Sequence, residues 1–118
     1  HPRIMIGGTG PNKTMRMVAQ YADACNIGDW VGKENMQTAL DALKRHCETL
    51  GRDYDSIEKT CLGTVNLSAK DTVSSVMSRI NELSAMGFTH VIFNMPDVYS
   101  ITPLKTFAKE IIPSVAGL

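Results

Sequence analysis

Apolar residues form two kinds of pattern along the chain: short uninterrupted runs, and longer stretches in which they recur every three or four positions. A short run bounded by glycine or proline is typical of a buried strand, whereas the longer spacing is typical of a helix with one apolar face. The short runs predict four strands, over residues 4–8, 24–27, 60–67 and 90–94. A helical pattern follows each run, so the sequence predicts four consecutive strand–helix units.

Residues that start or stop a helix mark the limits of the four helical patterns. The first pattern starts at Pro11, where the missing N–H of proline costs nothing, and the second spans roughly 34–50 before Gly51. The third ends at Gly87, and the fourth starts around Pro103. The side chains expected to face inward are Met15, Val18, Ala19 and Ala22 in the first helix, Met36, Leu40, Leu43, Cys47 and Leu50 in the second, Val73, Val76, Met77, Ile80 and Leu83 in the third, and Leu104, Phe107, Ala108, Ile111 and Ile112 in the fourth.

Strands that alternate with crossover helices run parallel, so the predicted fold class is α/β. The chain has 118 residues and no linker or low-complexity stretch, which predicts a single domain over residues 1–118. Two architectures accommodate four such units. One is a small open sheet with helices on both faces, and the other is half of a TIM (β/α)8 barrel, which in full needs about 250 residues. The local pattern fits either architecture.

Composition excludes several classes of partner. Lys plus Arg and Asp plus Glu both number 12, so no excess of basic residues is present to neutralise the phosphates of a nucleic acid. No apolar run approaches the roughly 20 residues that span a bilayer, and we expect no membrane partner. The three cysteines lie in apolar segments without C-x-x-C spacing, which indicates reduced thiols in a cytoplasmic protein. No spacing of His and Cys is typical of a metal site, so we predict no metal.

The segment GGTGPNKT, residues 7–14, joins the first predicted strand to the first predicted helix. We call it the glycine turn. Glycine permits positive φ and lets a ligand approach the main chain, and the first N–H groups of a helix are unpaired and partly positive. A strand, a glycine turn and a helix start together can bind an anion such as phosphate. The alternative is that the glycines serve only the tight turn, since the segment is neither a P-loop nor a complete dinucleotide fingerprint.

Four segments of the chain resemble the bacterial luciferase-like monooxygenase superfamily, whose members depend on a flavin or on the deazaflavin coenzyme F420. They occur in the order found in that family and span nearly all of the chain. The resemblance implies that the chain is the C-terminal half of a TIM barrel, with strands five to eight of the parent barrel. The segments are PRIMIGGTGPNKTMRMVAQYADACNI (residues 2–27), LKRHCETLGRDYDSIEKT (43–60), MGFTHVIFNMP (86–96) and LKTFAKEIIPSV (104–115).

The resemblance also implies a cofactor, either F420 or FMN, whose phosphate lies at the glycine turn. The positions that match the phosphate-holding residues of the family are Gly8, Thr9, Gly10 and Thr14, with Lys13 as a further candidate. No residue is predicted to act as a catalytic acid or base.

Polar and aromatic residues near the ends of the predicted strands are weaker candidates for contacts to a substrate or to the cofactor ring. In a TIM barrel the chemistry lies at the carboxyl ends of the strands, which here favours Asn26, Asp29, Trp30 and Asn94. A plainer interpretation exists for some of them. Asp29, like Asp97 after the fourth strand, has the character of a solvated turn residue, and Trp30 that of a surface aromatic.

We therefore expect the cofactor-phosphate-binding part of a luciferase-like flavin- or F420-dependent oxidoreductase or monooxygenase. In the family the N-terminal half supplies much of the ring pocket, so we expect this chain by itself to be inactive. An alternative is a non-catalytic half-barrel that self-associates and binds a phosphorylated ligand or none. Because four barrel strands leave two open edges, the expected partner is a second copy, as a homodimer, or the missing N-terminal half-barrel. A third possibility is an unrelated open α/β sheet with its ligand at the switch point.

Overall fold

The computed structural model describes residues 1–118 and contains one sheet of four parallel strands. The strands lie in the order of the sequence, β1–β2–β3–β4, and each pairs with the next. The α/β fold class and the alternation of strands with helices are confirmed. The strands are β1 (Met5–Gly7), β2 (Ala24–Gly28), β3 (Glu58–Thr64) and β4 (His90–Asn94).

The helices follow the strands as the sequence predicts, but the last one is divided. A π-helical turn interrupts it because Pro113 has no N–H to donate to the preceding turn, and the turn widens there. None of the helices has the length and apolar character that crossing a bilayer requires. The helices are α1 (Thr14–Tyr21), α2 (Lys33–Leu50), α3 (Val73–Met86), α4 (Thr102–Thr106), the π turn (Phe107–Ile111) and α5 (Ile112–Val115), and short 3₁₀ turns lie at Asp29–Val31 and Tyr54–Ser56.

The limits of β3 and α1 differ from the sequence prediction by two residues or more. β3 was expected over residues 60–67, but it starts at Glu58 and ends at Thr64. The ladder stops because the carboxylate of Asp71 accepts the N–H of Asn66, at 2.8 Å, and the chain turns there. At the first helix, Pro11 lies in a turn ahead of α1 rather than in the helix itself.

α1, α2, α3 and the π turn pack on one face of the sheet. Side chains of β2 and β3 that point to this face are buried in one cluster with α1, α2 and the end of α3. Farther along, Phe93 of β4 packs with α3 and the π turn. A doubly wound sheet has helices on both faces and reverses its strand order at a switch point, and neither feature is present here. The sheet residues on the helix-covered face are Ile6, Cys25, Ile27, Lys59, Cys61, Gly63, Val91 and Phe93.

The opposite face, which we call the open face, carries no helix. It mixes apolar and polar side chains, and Met5 and Ile92 are 49% and 37% exposed. Four strands do not close a barrel, so the interpretation of this face as the inside of half a TIM barrel stays a prediction. Its residues are Met5, Gly7, Ala24, Asn26, Gly28, Glu58, Thr60, Leu62, Thr64, His90, Ile92 and Asn94.

α1 is only eight residues long, and the side chain of Arg52 caps its C-terminal end. The guanidinium donates to the carbonyl oxygens of Val18, Ala19 and Ala22, at 3.4, 3.0 and 2.6 Å. Carbonyls at a helix C-terminus lack partners within the helix, and a cation there also complements the helix dipole. Arg52 therefore fixes the far end of the helix that starts at the glycine turn.

Candidate functional site

The glycine turn lies at the carboxyl edge of the sheet, between β1 and α1. Gly8 has φ of 131°, a value that side-chain-bearing residues rarely adopt, and its N–H donates to the carbonyl oxygen of Asn26 at 3.0 Å. The side chain of Thr14 fills the space beside both Gly8 and Gly10, where a Cβ would come within 3.1 Å of it. Close packing and backbone conformation therefore account for these two glycines.

Most main-chain donors of the glycine turn are free. The N–H of Met15 donates to the carbonyl oxygen of Gly10, at 2.9 Å, but six neighbouring amides donate no hydrogen bond within the chain. Unpaired amides at a helix N-terminus, together with the helix dipole, attract an anion. The turn therefore has the geometry of an anion-binding site, and no group of the chain itself accepts a hydrogen bond from these amides. The six amides are those of Thr9, Gly10, Asn12, Lys13, Thr14 and Arg16.

The side chains around the turn add positive charge. Lys13 and Arg16 are exposed and take part in no salt bridge, and the first turn of α1 contains no acidic residue. The hydroxyl of Thr14 makes no hydrogen bond within the chain, so it too can donate to a ligand. Arg16 was not among the predicted candidates, although its place in the first turn of the helix is evident from the sequence.

A histidine on α2 contacts the glycine turn. Nε2 of His46 lies 2.8 Å from the carbonyl oxygen of Pro11, 35 positions away in the sequence. Because a carbonyl oxygen only accepts, Nε2 is the protonated nitrogen and donates. This is the only hydrogen bond from a side chain to the main chain of residues 7–14, and local sequence pattern contains no signal for a contact over that separation.

Two of the weaker candidates lie side by side on the open face. Oδ1 of Asn26 is 2.8 Å from the hydroxyl of Thr60, which leaves its NH₂ group without a partner in the chain. The ring of Trp30 lies over Gly28, in the space that a Cβ would occupy, and the side chain is 71% exposed. Asn94 is also on this face, at the end of β4, which is two strands away from β2 in the sheet.

Asp29 is placed differently from the other candidates. Its carboxylate accepts a hydrogen bond from Arg79 of α3, which also donates to the carbonyl oxygen of Thr64 at 3.0 Å. This ion pair lies directly over Gly63 on the helix-covered face, and a Cβ on Gly63 would collide with it. Asp29 therefore ties the loop after β2 to α3, and the geometry gives no support to the expectation that it contacts a ligand.

Asp97 is buried, so its interpretation as a solvated turn residue is wrong. Its side chain is 3% exposed, and Oδ2 accepts hydrogen bonds from the N–H and the hydroxyl of Ser68, at 3.1 and 2.7 Å. Oδ1 has no partner. The carboxylate joins the loop after β4 to the loop after β3, and its donor lies 29 positions away in the sequence.

The cysteines are all buried and free, as the sequence predicts for core thiols. Burial raises the pKa of Cys25 and Cys47, and raises that of Cys61 to about 11. A thiol nucleophile needs the opposite shift, because the thiolate is the reactive form. The arrangement therefore offers no cysteine chemistry.

No protein-family model matches the chain, and no curated protein does. The function is therefore inferred from the geometry of the glycine turn and the open face, together with the resemblance noted in the sequence.

Proposed function

We propose that the chain is the cofactor-phosphate-binding, C-terminal half of a luciferase-like oxidoreductase or monooxygenase that depends on FMN or F420. The observation that carries the proposal is the cluster of six free amides in and next to the glycine turn, at the start of α1. Both cofactors present a phosphate, whose oxygens need several donors. The resemblance indicates the class of cofactor, and the free amides are the hydrogen-bond donors available to its phosphate.

The residues of the turn fit a phosphate group. The amides of Thr9, Gly10 and Thr14 are free, and the hydroxyl of Thr14 lies against Gly8 and Gly10, where no Cβ obstructs the main chain. Lys13 is exposed beside them and adds a positive charge. Thr9, Gly10, Lys13 and Thr14 would supply the donors to the phosphate. Gly8, whose N–H already donates to Asn26, would leave room for it beside the main chain. The bound cofactor supplies the hydride or oxygen chemistry, and this chain binds and orients it.

The open face supports a location for the cofactor ring. Asn26 accepts the N–H of Gly8 through its main chain, so its side chain lies beside the glycine turn with NH₂ donors that are free. Trp30 follows on the same side, with its exposed ring over Gly28. A flat ring that carries carbonyl groups can stack on Trp30 and accept from Asn26. Asn94 is a further candidate donor farther across the face.

We also propose that the open face is the inside of a TIM barrel. The supporting features are the sequential order of four parallel strands and the packing of α1, α2, α3 and the π turn on one face. β1 and β4 each have one unpaired edge, and closure of an eight-stranded barrel would pair both edges and fill the interior. The other four strands come from a second copy or from the N-terminal half-barrel.

One observation favours the second candidate function, a non-catalytic half-barrel that binds a phosphorylated ligand or none. Gly8 is explained by its φ, and Gly10 by the packing of Thr14, so neither glycine requires a ligand. The two candidate functions differ in what the purified chain binds.

Fluorescence titration of the chain with FMN and with F420 tests the proposal, with inorganic phosphate as competitor. We expect saturable binding of one cofactor, weakened by phosphate. Gly10→Val places a side chain against Thr14 and is expected to weaken binding by about tenfold or more. Gly117→Val is the matched control, because a Cβ at Gly117 meets nothing within 4 Å. Failure of the folded chain to bind either cofactor at millimolar concentration would favour the non-catalytic alternative.

A further inference from the structure

His46 makes the one side-chain hydrogen bond that holds the main chain of the glycine turn. It projects from α2, is partly buried, and donates from Nε2 to the carbonyl oxygen of Pro11 at 2.8 Å. Elsewhere the turn is held by main-chain bonds, from Gly8 to Asn26, from Met15 to Gly10 and from Met17 to Lys13. The Pro11–Asn12 peptide lies inside the loop that the bond from Met15 to Gly10 closes.

The geometry of a peptide group gives this contact a consequence for binding. The peptide is planar and trans, so its C=O and the N–H of the next residue point in opposite directions. With the oxygen of Pro11 directed at α2, the N–H of Asn12 is directed away from α2. That N–H is one of the six free amides of the cluster.

We propose that His46 is a positioning residue, which orients the Pro11–Asn12 peptide so that the N–H of Asn12 is presented to the bound phosphate. This inference rests on the proposed function of the glycine turn. A turn that is already ordered loses less conformational entropy when it binds a ligand. Loss of the contact from His46 should therefore lower the affinity for the anion, although no group that touches the anion is removed.

Two substitutions of similar polarity separate positioning from general stability. His46→Gln places an amide donor near the position of Nε2, whereas the donor of His46→Asn is too short to reach Pro11. We expect the Gln variant to bind phosphate nearly as the unaltered chain does. The Asn variant is expected to bind about tenfold more weakly, the equivalent of one hydrogen bond's net contribution. Rescue by Gln is a result that a merely structural role for the imidazole ring does not predict.

Titration of the ¹⁵N-labelled chain with inorganic phosphate, followed by amide chemical shifts, provides the readout. Three outcomes are distinguishable. If no amide of residues 9–16 shifts in the unaltered chain, the proposed anion site itself is wrong. If the amides of Thr9, Gly10 and Thr14 shift but that of Asn12 does not, the anion site stands and the role of His46 is overturned. Equal affinity of a folded Asn variant would overturn it as well.

The measurement on the unaltered chain needs no substitution, so it tests the contact between the N–H of Asn12 and phosphate even if a variant fails to fold. Urea unfolding of both variants completes the comparison. A loss of affinity in the Asn variant that the Gln variant shares, with both equally destabilised, would assign His46 to stability alone.

Discussion

Removal of the Arg52 guanidinium is expected to destabilise the chain strongly, because it donates to three main-chain carbonyls, of which only that of Val18 has another donor, the N–H of Ala22. The side chain donates to the oxygens of Val18, Ala19 and Ala22, and these residues are at most 1% exposed. Arg52→Ala leaves carbonyls in the interior without a strong donor. A hydrogen bond from a charged donor contributes about 1.5–3 kcal/mol, and the helix dipole adds roughly 0.3–1 kcal/mol. Because the three bonds share one group and are not additive, we expect a loss of about 2–4 kcal/mol.

Urea and thermal unfolding, followed by circular dichroism at the helix band, measure this loss. A decrease of 2–4 kcal/mol corresponds to a fall in melting temperature of roughly 8–16 °C for a chain of this size. Arg45→Ala is the matched control, since Arg45 is exposed on α2 and its side chain makes no hydrogen bond or salt bridge. Arg52→Lys keeps the charge but loses the several N–H donors of the guanidinium, so its loss of free energy of unfolding should lie between those of Arg52→Ala and Arg45→Ala. The capping role is refuted if Arg52→Ala is no more destabilising than Arg45→Ala.

Three further predictions concern different parts of the molecule. Gly63→Ala is expected to cost about 2 kcal/mol in urea unfolding, because its Cβ displaces the ion pair of Asp29, whereas Gly117→Ala should be neutral. If a second copy covers the open face, light scattering at micromolar concentration should give a dimer that Ile92→Asp dissociates; a monomeric mass for the unaltered chain rules that partner out. Burial raises the pKa of Cys61 from its ordinary 9.0 to about 11, so the unfolded chain releases this proton first. The protonated thiol therefore contributes about 2–3 kcal/mol to the free energy of unfolding below pH 9, and this contribution is lost as the pH rises to 11. Cys61→Ala should make the free energy of unfolding fall less steeply over that range.

The features predicted correctly from the sequence are those that local spacing controls. β4 was predicted within its observed limits because the run HVIFN is bounded by a glycine before it and a proline after it. α2 was recognised from its apolar stripe and from Gly51, which takes a left-handed conformation at the C-cap with φ of 67°. Both signals lie within the element or within three residues of its ends.

The features that were missed depend on hydrogen bonds of polar side chains, two of which join distant parts of the chain. β3 ends early because Asp71 accepts the N–H of Asn66, and Asp97 is buried because Ser68 supplies its donors. Asp29 pairs with Arg79, 50 positions away. Apolar periodicity carries no information about which polar groups form hydrogen bonds with each other. The glycine turn could therefore be predicted as a candidate site, but the contacts of His46 and Arg52 with the turn and with α1 could not.

The sequential strand order has a consequence for how the chain acquires its structure during synthesis. Each new strand pairs with the strand made just before it, and the helix that connects the two packs on one face of that pair. In a doubly wound sheet, by contrast, a central strand has to wait for a partner made much later. A ribosome-bound chain of this topology can therefore add one strand–helix unit at a time, and at every stage only the newest strand offers a growing edge.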